Sequence, residues 1–407
     1  MVLRQADSGP PSVSDATGLL DPSDVRAETR RMLHAWLAFQ LRLAYEPARA
    51  KQALARHGSP AAALRAHLGV APEDLLGDRA FTAMLDTFER SGVRLLPLGA
   101  AAYPERIAAL PDASPLLALR GDPARLAEPL VAIVGARAPT RLGLDFASVL
   151  AGELAEHGVG VVSGLARGID AAAHRGALEA RGTTVAVLGC GPDRVYPPEH
   201  ADLAQAIVER GAVISELPAG APPVPHHFPA RNRLISALAR AVVVVEARVR
   251  SGSLVTARHA ADQGREVLAV PGAVGAPTSE GPNQLLRAGA WPVLDVSDVL
   301  AAIGLGAATP RERAALRGRT PAVTGALATA ARAGGHEAGA SAEHEPHHAG
   351  VHPPLLAEIA REPATRDALS QRLGWSAQRL AHELFEFELD GRVVEDRDGR
   401  LRVARRP

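Results

Sequence analysis

The sequence has few of several residue types, and each shortage narrows the range of functions. Cysteine occurs once, at Cys190, so no disulfide can form within the chain, which fits a reducing cytoplasm. Aromatic residues make up 3% of the 407 residues, which disfavours binding through a long row of stacked rings. The formal net charge is zero, so a binding site for a polyanion must be a local patch.

Several motifs are also missing. Lysine occurs once, at Lys51, and no P-loop is present, which excludes a P-loop NTPase of the usual form. Ser163-Gly164 follows the second core strand where a dinucleotide-binding fold carries an acidic residue, which disfavours a nicotinamide oxidoreductase. The spacing His-Glu-x-x-His occurs at 344–348, but these residues and the other histidines between 336 and 352 lie in a low-complexity tract that we interpret as solvated. We predict no metal, no cofactor and no catalytic residue.

The chain divides into five predicted segments. Residues 1–22 are polar and predicted to be disordered, without the pattern of a signal peptide. Residues 23–98 predict a small SAM/helix-hairpin-helix-like domain with a break between helices at His57-Gly58-Ser59-Pro60, and it either contacts nucleic acid or protein or only caps the core. Residues 99–303 form the core, and 304–350 predict a flexible linker. Residues 351–407 predict a winged-helix-like domain with helices at 354–361, 366–373 and 377–389 and a hairpin of strands at 393–395 and 401–403. The ten arginines of this domain balance ten acids, which favours protein contact over DNA reading.

The core alternates short apolar runs with amphipathic segments. Strands are predicted at 130–134, 159–163, 183–188, 212–215, 241–246, 266–270 and 291–294, with edge strands near 93–98 and 116–121. Continuous Val/Ile/Ala/Leu runs are typical of parallel strands covered on both faces by helices. We therefore predict an α/β fold with an extended Rossmann-like, doubly wound, mostly parallel sheet. The helix after Thr140 is predicted to bury an apolar stripe of Leu142, Phe146, Val149, Leu150 and Leu154.

Small, polar and arginine residues recur where the predicted strands end. Because the carboxyl ends of parallel strands meet at one edge of a sheet, we expect these residues to converge there. Arginines offer planar forks to phosphates, and small residues let a ligand backbone approach closely. Seven arginines against two acids between His226 and Arg265 give a local excess of +5. The predicted nucleic-acid-binding residues are Arg137, Thr140, Ser163, Gly164, Arg167, Gly168, His226, His227, Phe228, Arg231, Asn232, Arg233, Ser251, Gly252, Ser253 and Thr256.

Each of these motifs also has a structural interpretation. The Ser-Gly pairs are ordinary helix caps and tight turns. Asp170 and Glu246 are candidates for structural ion pairs with Arg167 and a neighbouring arginine. Phe228 either stacks on a base or belongs to the core. The coincidence of five motifs at successive strand ends favours the functional interpretation.

Five motifs together resemble the DNA-processing protein A family, also called DprA or Smf. They are Val134-Gly135-Ala136-Arg137, the run from Ser163 to Asp170 with His174, Phe228-Pro229-x-Arg231-Asn232-Arg233, Ser251-Gly252-Ser253-Leu254-x-Thr256-Ala257, and Ala269-Val270-Pro271-Gly272. The resemblance covers about residues 95–300. It implies a cytoplasmic, non-enzymatic homodimer that binds single-stranded DNA, protects incoming strands during natural transformation and loads the RecA recombinase. The family's DNA pocket maps onto Arg137, Gly164, Arg167, Phe228 and Arg231–Arg233.

One departure from the family pattern affects the predicted pocket. His226 or His227 stands where the family usually has a lysine, which predicts weaker and pH-sensitive binding. Two alternatives use the same fold: a nucleotide-processing hydrolase resembling the cytokinin-activating phosphoribohydrolases, and a small-nucleotide sensor. The hydrolases need a Pro-Gly-Gly-x-Gly-Thr loop, whereas residues 250–256 read Arg-Ser-Gly-Ser-Leu-Val-Thr, which disfavours that alternative.

Overall fold

A computed structural model describes residues 18–24 and 26–305 and, further on, 355, 358–359, 361–362, 364–373, 384, 393–395 and 400–403. The chain divides into two compact units, Met1–Gly334 and Gly335–Pro407. The predicted linker at 304–350 and its histidines lie almost wholly outside the described residues. No helix within the described ranges is long and apolar enough to cross a membrane.

Five helices open the first unit, at α1 Ala27–Leu43, α2 Pro47–His57, α3 Pro60–Leu68, α4 Pro72–Leu75 and α5 Asp78–Arg90. The break between α2 and α3 was predicted, and it forms because Gly58 takes a left-handed conformation while Ser59 caps α3. Phe39 and Phe88 pack in one apolar cluster with Leu95 and Leu116 of the sheet. This helical module therefore shares its core with the edge of the sheet.

The sheet of the first unit has nine strands. They are β1 Arg94–Pro97, β2 Leu116–Gly121, β3 Leu130–Val134, β4 Gly160–Ser163, β5 Thr184–Val187, β6 Ala212–Ser215, β7 Ala241–Val244, β8 Glu266–Ala269 and β9 Trp291–Pro292. Their order is β1-β2-β6-β5-β4-β3-β7-β8-β9. The seven strands from β6 to β9 are parallel, while β1 and β2 pair antiparallel at one edge. The predicted doubly wound sheet with two added edge strands is confirmed.

Helices cover both faces of this sheet. They are α6 Glu105–Ala108, α7 Arg141–Glu156, α8 Ile169–Glu179, α9 Ala201–Arg210, α10 His227–Leu238, α11 Gly252–Asp262, α12 Glu280–Arg287 and α13 Val296–Ala302, with 3-10 turns at Pro123–Leu126 and Pro198–His200. Successive residues of β3 enter opposite clusters: Ala132 packs with α10 and α11, whereas Ile133 packs with α7 and α8. The continuous apolar runs thus reflect burial on both sides.

Two predictions for the first unit are wrong. The predicted disordered segment extends too far, because Leu19 and Leu20 are buried and the backbone of Leu20 pairs with that of Leu95. The stripe on α7 is also incorrect, since Leu142 is 79% and Val149 59% exposed. The face that α7 buries contains the small residues Gly143, Ala147 and Ala151 together with Leu150 and Leu154. The small side chains on this face let α7 pack closely on α8, so the size of the side chains decided which face of α7 is buried.

The second unit contains the predicted hairpin. Its described elements are α14 Arg366–Leu373, β10 Val393–Glu395 and β11 Leu401–Val403, and the two strands pair antiparallel. Leu369, Val393 and Leu401 pack in one small apolar cluster. Strand positions 393–395 and 401–403 agree with the prediction. The other helices predicted here lie mostly outside the described residues.

Candidate nucleic-acid interface

The predicted site residues gather where the sheet reverses its winding. After β3 the chain adds β4, β5 and β6 on one side and then crosses back to place β7 on the other side. The loops that follow β3 and β7 therefore lead to helices on opposite faces of the sheet. Ligands of doubly wound sheets bind at such a position.

Arg137 and Phe228 meet at this edge. Arg137 is exposed in the loop after β3, and its Cζ lies 5.5 Å from the centroid of the Phe228 ring. That ring lies against Gly189, because a Cβ on Gly189 would come within 2.7 Å of Phe228 Cδ1. The Tyr196 ring is 5.5 Å away with a tilt of 42°. The edge therefore has a half-buried aromatic ring beside an exposed cation, which suits a base and its phosphate.

Tyr196 is a residue that the sequence-based site omitted. It lies half-buried in the loop after β5, whereas Phe228 lies in the first turn of α10. The Gly189-Cys190-Gly191 turn and the tyrosine that follows it were visible in the sequence, but nothing there indicated contact with Phe228. The two rings come together only because β5 and the start of α10 share the same edge.

Arg231 lies beneath the edge, not on its surface. Its side chain is 4% exposed, Nη1 donates to the carbonyl oxygen of Gly164 at 3.0 Å, and Nε is buried without a hydrogen-bond partner among the described residues. The Gly164 N–H donates to Asp170 Oδ2 at 3.1 Å. A Cβ on Gly164 would come within 2.5 Å of Arg231 Nη2 and 2.8 Å of Asp170 Oδ2, so glycine is required there. Arg231 and Asp170 thus hold the loop after β4 from opposite sides.

Burial dominates the electrostatics of this pair. Burial is the largest of the causes that together lower the pKa of Arg231 to about 10; the Asp170 charge opposes this shift and the Arg137 charge adds to it. Burial likewise raises the pKa of Asp170, although the Arg231 charge opposes the change. At neutral pH Arg231 remains cationic. The effect of the Arg137 charge on the pKa of Arg231 shows that the two guanidinium groups lie near each other.

Asn232 and Arg233 also turn inward from α10. Asn232 Nδ2 donates to the carbonyl oxygen of Gly252 at 3.2 Å, which ties α10 to the start of α11. Arg233 is 7% exposed and forms ion pairs with Glu216 at 2.6 Å and Asp112 at 2.8 Å. The structure therefore does not bring Arg233 to the exposed edge where Arg137 lies.

Arg167 remains at the surface. Its Nε is 2.5 Å from Glu199 Oε1, and the two side chains are 56% and 50% exposed. The expected pairing of Arg167 with Asp170 is wrong, since Asp170 faces Gly164 and Arg231. An exposed ion pair of this kind contributes little to stability.

The remaining loop residues support the backbone of the edge. Thr140 caps α7 and donates from its N–H to Glu246 Oε2 at 2.9 Å and from its hydroxyl to Oε1 at 2.5 Å. Glu246 is thus bonded to a helix cap, not to an arginine as expected. Ser251 caps α11, and the Ser253 hydroxyl donates to the Gly135 carbonyl at 2.8 Å. These contacts agree with the helix-cap interpretation.

Four further predicted residues differ in their exposure. Ser163 is fully buried and donates to the Ile133 carbonyl at 2.7 Å. Thr256 is 1% exposed within α11, and Gly252 is exposed at its first turn. Gly168 precedes α8 with a φ of 77°. Only the two glycines of this group present backbone to the edge.

The two histidines of the Phe-Pro loop differ. His227 is 5% exposed, its Nδ1 lies 3.1 Å from the Pro222 carbonyl, and its ring stacks on Tyr45 of the helical module at 5.4 Å and 19°. Burial lowers the pKa of His227, so it is neutral at pH 7. His226 is exposed and is the member of the pair that can meet a phosphate in place of the family lysine.

The described residues contain no cluster of three or more His, Cys, Asp or Glu side chains arranged to hold a metal ion. The fold and this edge define a Rossmann-like α/β protein with an arginine and aromatic ligand edge. Residues 94–304 match the family described as DNA recombination-mediator protein A, and residues 339–399 match the DprA winged helix domain. The chain belongs to the DNA recombination-mediator protein A family, whose members are DNA-binding proteins of DNA processing.

Individual relatives agree with this assignment. Protein Smf of Escherichia coli K12 is 34% identical over 334 residues, which cover 80% of this chain and 82% of that protein. A putative DNA processing protein DprA of Mycobacterium tuberculosis is 47% identical over 210 residues, 50% of this chain and 54% of that protein. The X-ray structure of DprA from Streptococcus pneumoniae superimposes with a TM-score of 0.54 at 32% identity, covering 67% of this chain and 95% of that one.

Proposed function

We propose that this protein is a recombination mediator that binds single-stranded DNA along the carboxyl edge of its sheet. Membership of the DNA recombination-mediator protein A family supports a role in DNA recombination. The observation that carries the proposal is the contact of Arg137 with Phe228 over Gly189. An unpaired base can stack on such a ring while its phosphate meets the guanidinium, whereas a base inside a duplex has no free face to offer.

The exposed basic side chains set the path of the strand. Arg137, Arg167 and His226 are exposed, so each can meet a phosphate without moving a core element. Contacts of this kind do not depend on base sequence and release counterions, which makes affinity fall with salt. Few aromatic rings are present, so backbone contacts supply most of the affinity.

Buried polar residues have a different part in this proposal. Arg231, Asn232 and Arg233 hold the loops after β4 and β7 and the Glu216 turn in place. They support the DNA-contacting surface by positioning Gly164 and Gly252. Their loss therefore weakens binding through disorder of the loops.

The finer biological role is also part of the proposal. We place the protein in the cytoplasm as a homodimer that protects incoming strands during natural transformation and loads RecA onto them. In this proposal three domains share strand protection and RecA loading: the helical domain at 23–98, the core at 99–303 and the winged-helix domain at 351–407. The arginine and acid counts of residues 351–407 balance, which favours protein contact for that domain.

Binding without catalysis completes the proposal. Glu246 is the carboxylate that leads into the Ser251–Thr256 loop, and it accepts two hydrogen bonds from Thr140. That arrangement caps a helix and leaves the carboxylate engaged. Incubation with nucleoside monophosphates tests the hydrolase alternative, because release of free base would contradict binding without catalysis.

A salt-dependent titration tests the proposal directly. Fluorescence anisotropy should compare a labelled oligothymidine of about 30 nucleotides with a duplex of equal length and with mononucleotides. We expect tight, salt-sensitive binding to the single strand, weaker binding to the duplex and negligible binding to mononucleotides. Equal affinity for the single strand and the duplex, or binding of mononucleotides alone, would refute the proposal.

A further inference from the structure

Tyr45 stands out on the surface of the helical module. Among the described residues, it is the one phenylalanine, tyrosine or tryptophan in the exposed class, with 58% of its surface accessible. It lies in the turn between α1 and α2. It is one of few aromatic residues in a chain with 3% aromatics.

The Tyr45 ring is held in a defined orientation. It stacks on His227 with centroids 5.4 Å apart and planes 19° apart, and His227 packs edge-on against His226 at 4.5 Å. One face of the Tyr45 ring is therefore covered by imidazole. Since the side chain is still 58% exposed, its other face is open to solvent. This is the geometry of a platform that accepts a flat ligand on one side.

Chain connectivity joins this platform to the edge described above. His227 stacks on Tyr45, and the next residue of α10 is Phe228, whose ring lies beside Arg137. Two consecutive residues of α10 therefore link the Tyr45 ring to the Phe228 ring. The helical module is anchored beside them, because Gln40 Nε2 donates to the Glu216 carbonyl at 3.0 Å. Lys51 also donates to the carbonyls of Ala108 and Leu110 at 2.8 and 2.6 Å. The platform is therefore fixed relative to the Phe228 position.

The charge around Tyr45 suits a phosphate backbone. Arg42 and Arg49 lie within four residues of Tyr45 in the sequence and are 44% and 49% exposed, and both face the carboxylate of Glu46, at 3.9 and 2.9 Å. Two cations share one anion, which leaves a local excess of one positive charge. Such exposed pairs are weak and exchange readily for a phosphate.

We propose that Tyr45 is a second base-stacking position, with Arg42 and Arg49 contacting phosphates, so that a single strand leaving Phe228 continues onto the helical module. This inference rests on the proposed function and extends it. The module is then part of the DNA-binding surface, in addition to capping the sheet. The ligand is an unpaired nucleotide, because only an unstacked base can reach the open face of the ring.

A length series of oligothymidines, from about 6 to about 30 nucleotides, tests the inference with Tyr45→Ala, Tyr45→Phe and, as a matched control on α1, Leu41→Ala. We expect Tyr45→Ala to weaken binding of the longer oligonucleotides about five- to one-hundred-fold and to leave the shortest unchanged. Tyr45→Phe keeps the ring and should bind like the wild type, as should Leu41→Ala. Equal weakening at every length would show that Tyr45 only supports the His227 loop, and would overturn the inference.

Photocrosslinking gives a second readout that does not depend on affinity. An oligonucleotide carrying 5-iodouracil should crosslink to the peptide that contains Tyr45, and mass spectrometry should find it. Absence of that peptide, with crosslinks at Phe228 or Tyr196 alone, would overturn the second position. Phe228→Ala distinguishes failure of this inference from failure of the proposed function. If the wild type binds no single strand, or if Phe228→Ala has no effect on binding, the proposed function itself fails.

Discussion

Replacing Arg137 by alanine tests the electrostatics of the edge. Arg137 is exposed, and the ion pairs of the described residues do not include it, so its loss leaves no buried partner behind. Stability should fall by about 0.5–1 kcal/mol, because the exposed cation–π contact of Arg137 with Phe228 is lost. Binding should lose one phosphate contact, because the guanidinium that meets the phosphate is removed.

The salt dependence gives a sharper magnitude for Arg137→Ala. Each phosphate contact to a single strand contributes about −0.7 to the slope of log K against log salt. The slope should therefore become less steep by about 0.7. Between about 50 and 200 mM salt, the advantage of the wild type over the variant should shrink roughly 2.5-fold.

Anisotropy titrations at four salt concentrations measure both quantities, and two variants serve as controls. Arg141→Ala removes an 85% exposed arginine that is paired with Asp145, and it should keep the wild-type slope. Arg137→Lys keeps the charge but loses the planar fork, so it should retain the slope with reduced affinity. An unchanged slope for Arg137→Ala, or an equal change for Arg141→Ala, would refute the phosphate assignment.

Three further predictions concern the support of the edge. Gly189→Ala would place a Cβ 2.7 Å from Phe228 Cδ1, so it should displace the ring and weaken single-strand binding by about 1–3 kcal/mol in anisotropy. Unchanged binding would contradict the stacking role. Arg231→Met should destabilise the fold by about 3–5 kcal/mol in urea unfolding, because it leaves the buried Asp170 carboxylate without its partner charge. Adding Asp170→Asn should recover much of this stability, and additive losses in the double variant would contradict the pairing. His174 is fully buried and its pKa is lowered to about 3. Because the unfolded state binds that proton first, stability should fall by about 2 kcal/mol between pH 6.5 and 5, a loss that His174→Gln should abolish in paired urea titrations.

Much of this protein follows from its sequence. Alternating apolar runs and amphipathic segments determined a doubly wound sheet, because strands buried on both faces have no room for polar residues. Placing the motifs at strand ends then located the edge, since parallel strands carry their carboxyl ends to one side. The same residues carry the resemblance to the family.

The fate of individual side chains depended on tertiary packing. Phe228 and Arg231 are three residues apart on α10, yet Phe228 is half-buried at the edge while Arg231 lies beneath the loop of Gly164, 67 residues away in the chain. Leu142 and Val149 matched a helical stripe but are exposed, because α7 packs on α8 through small residues. Periodicity reports which residues share a face of a helix, whereas the element that packs on that face decides what is buried. That choice rests on contacts between residues far apart in sequence, which no local pattern contains.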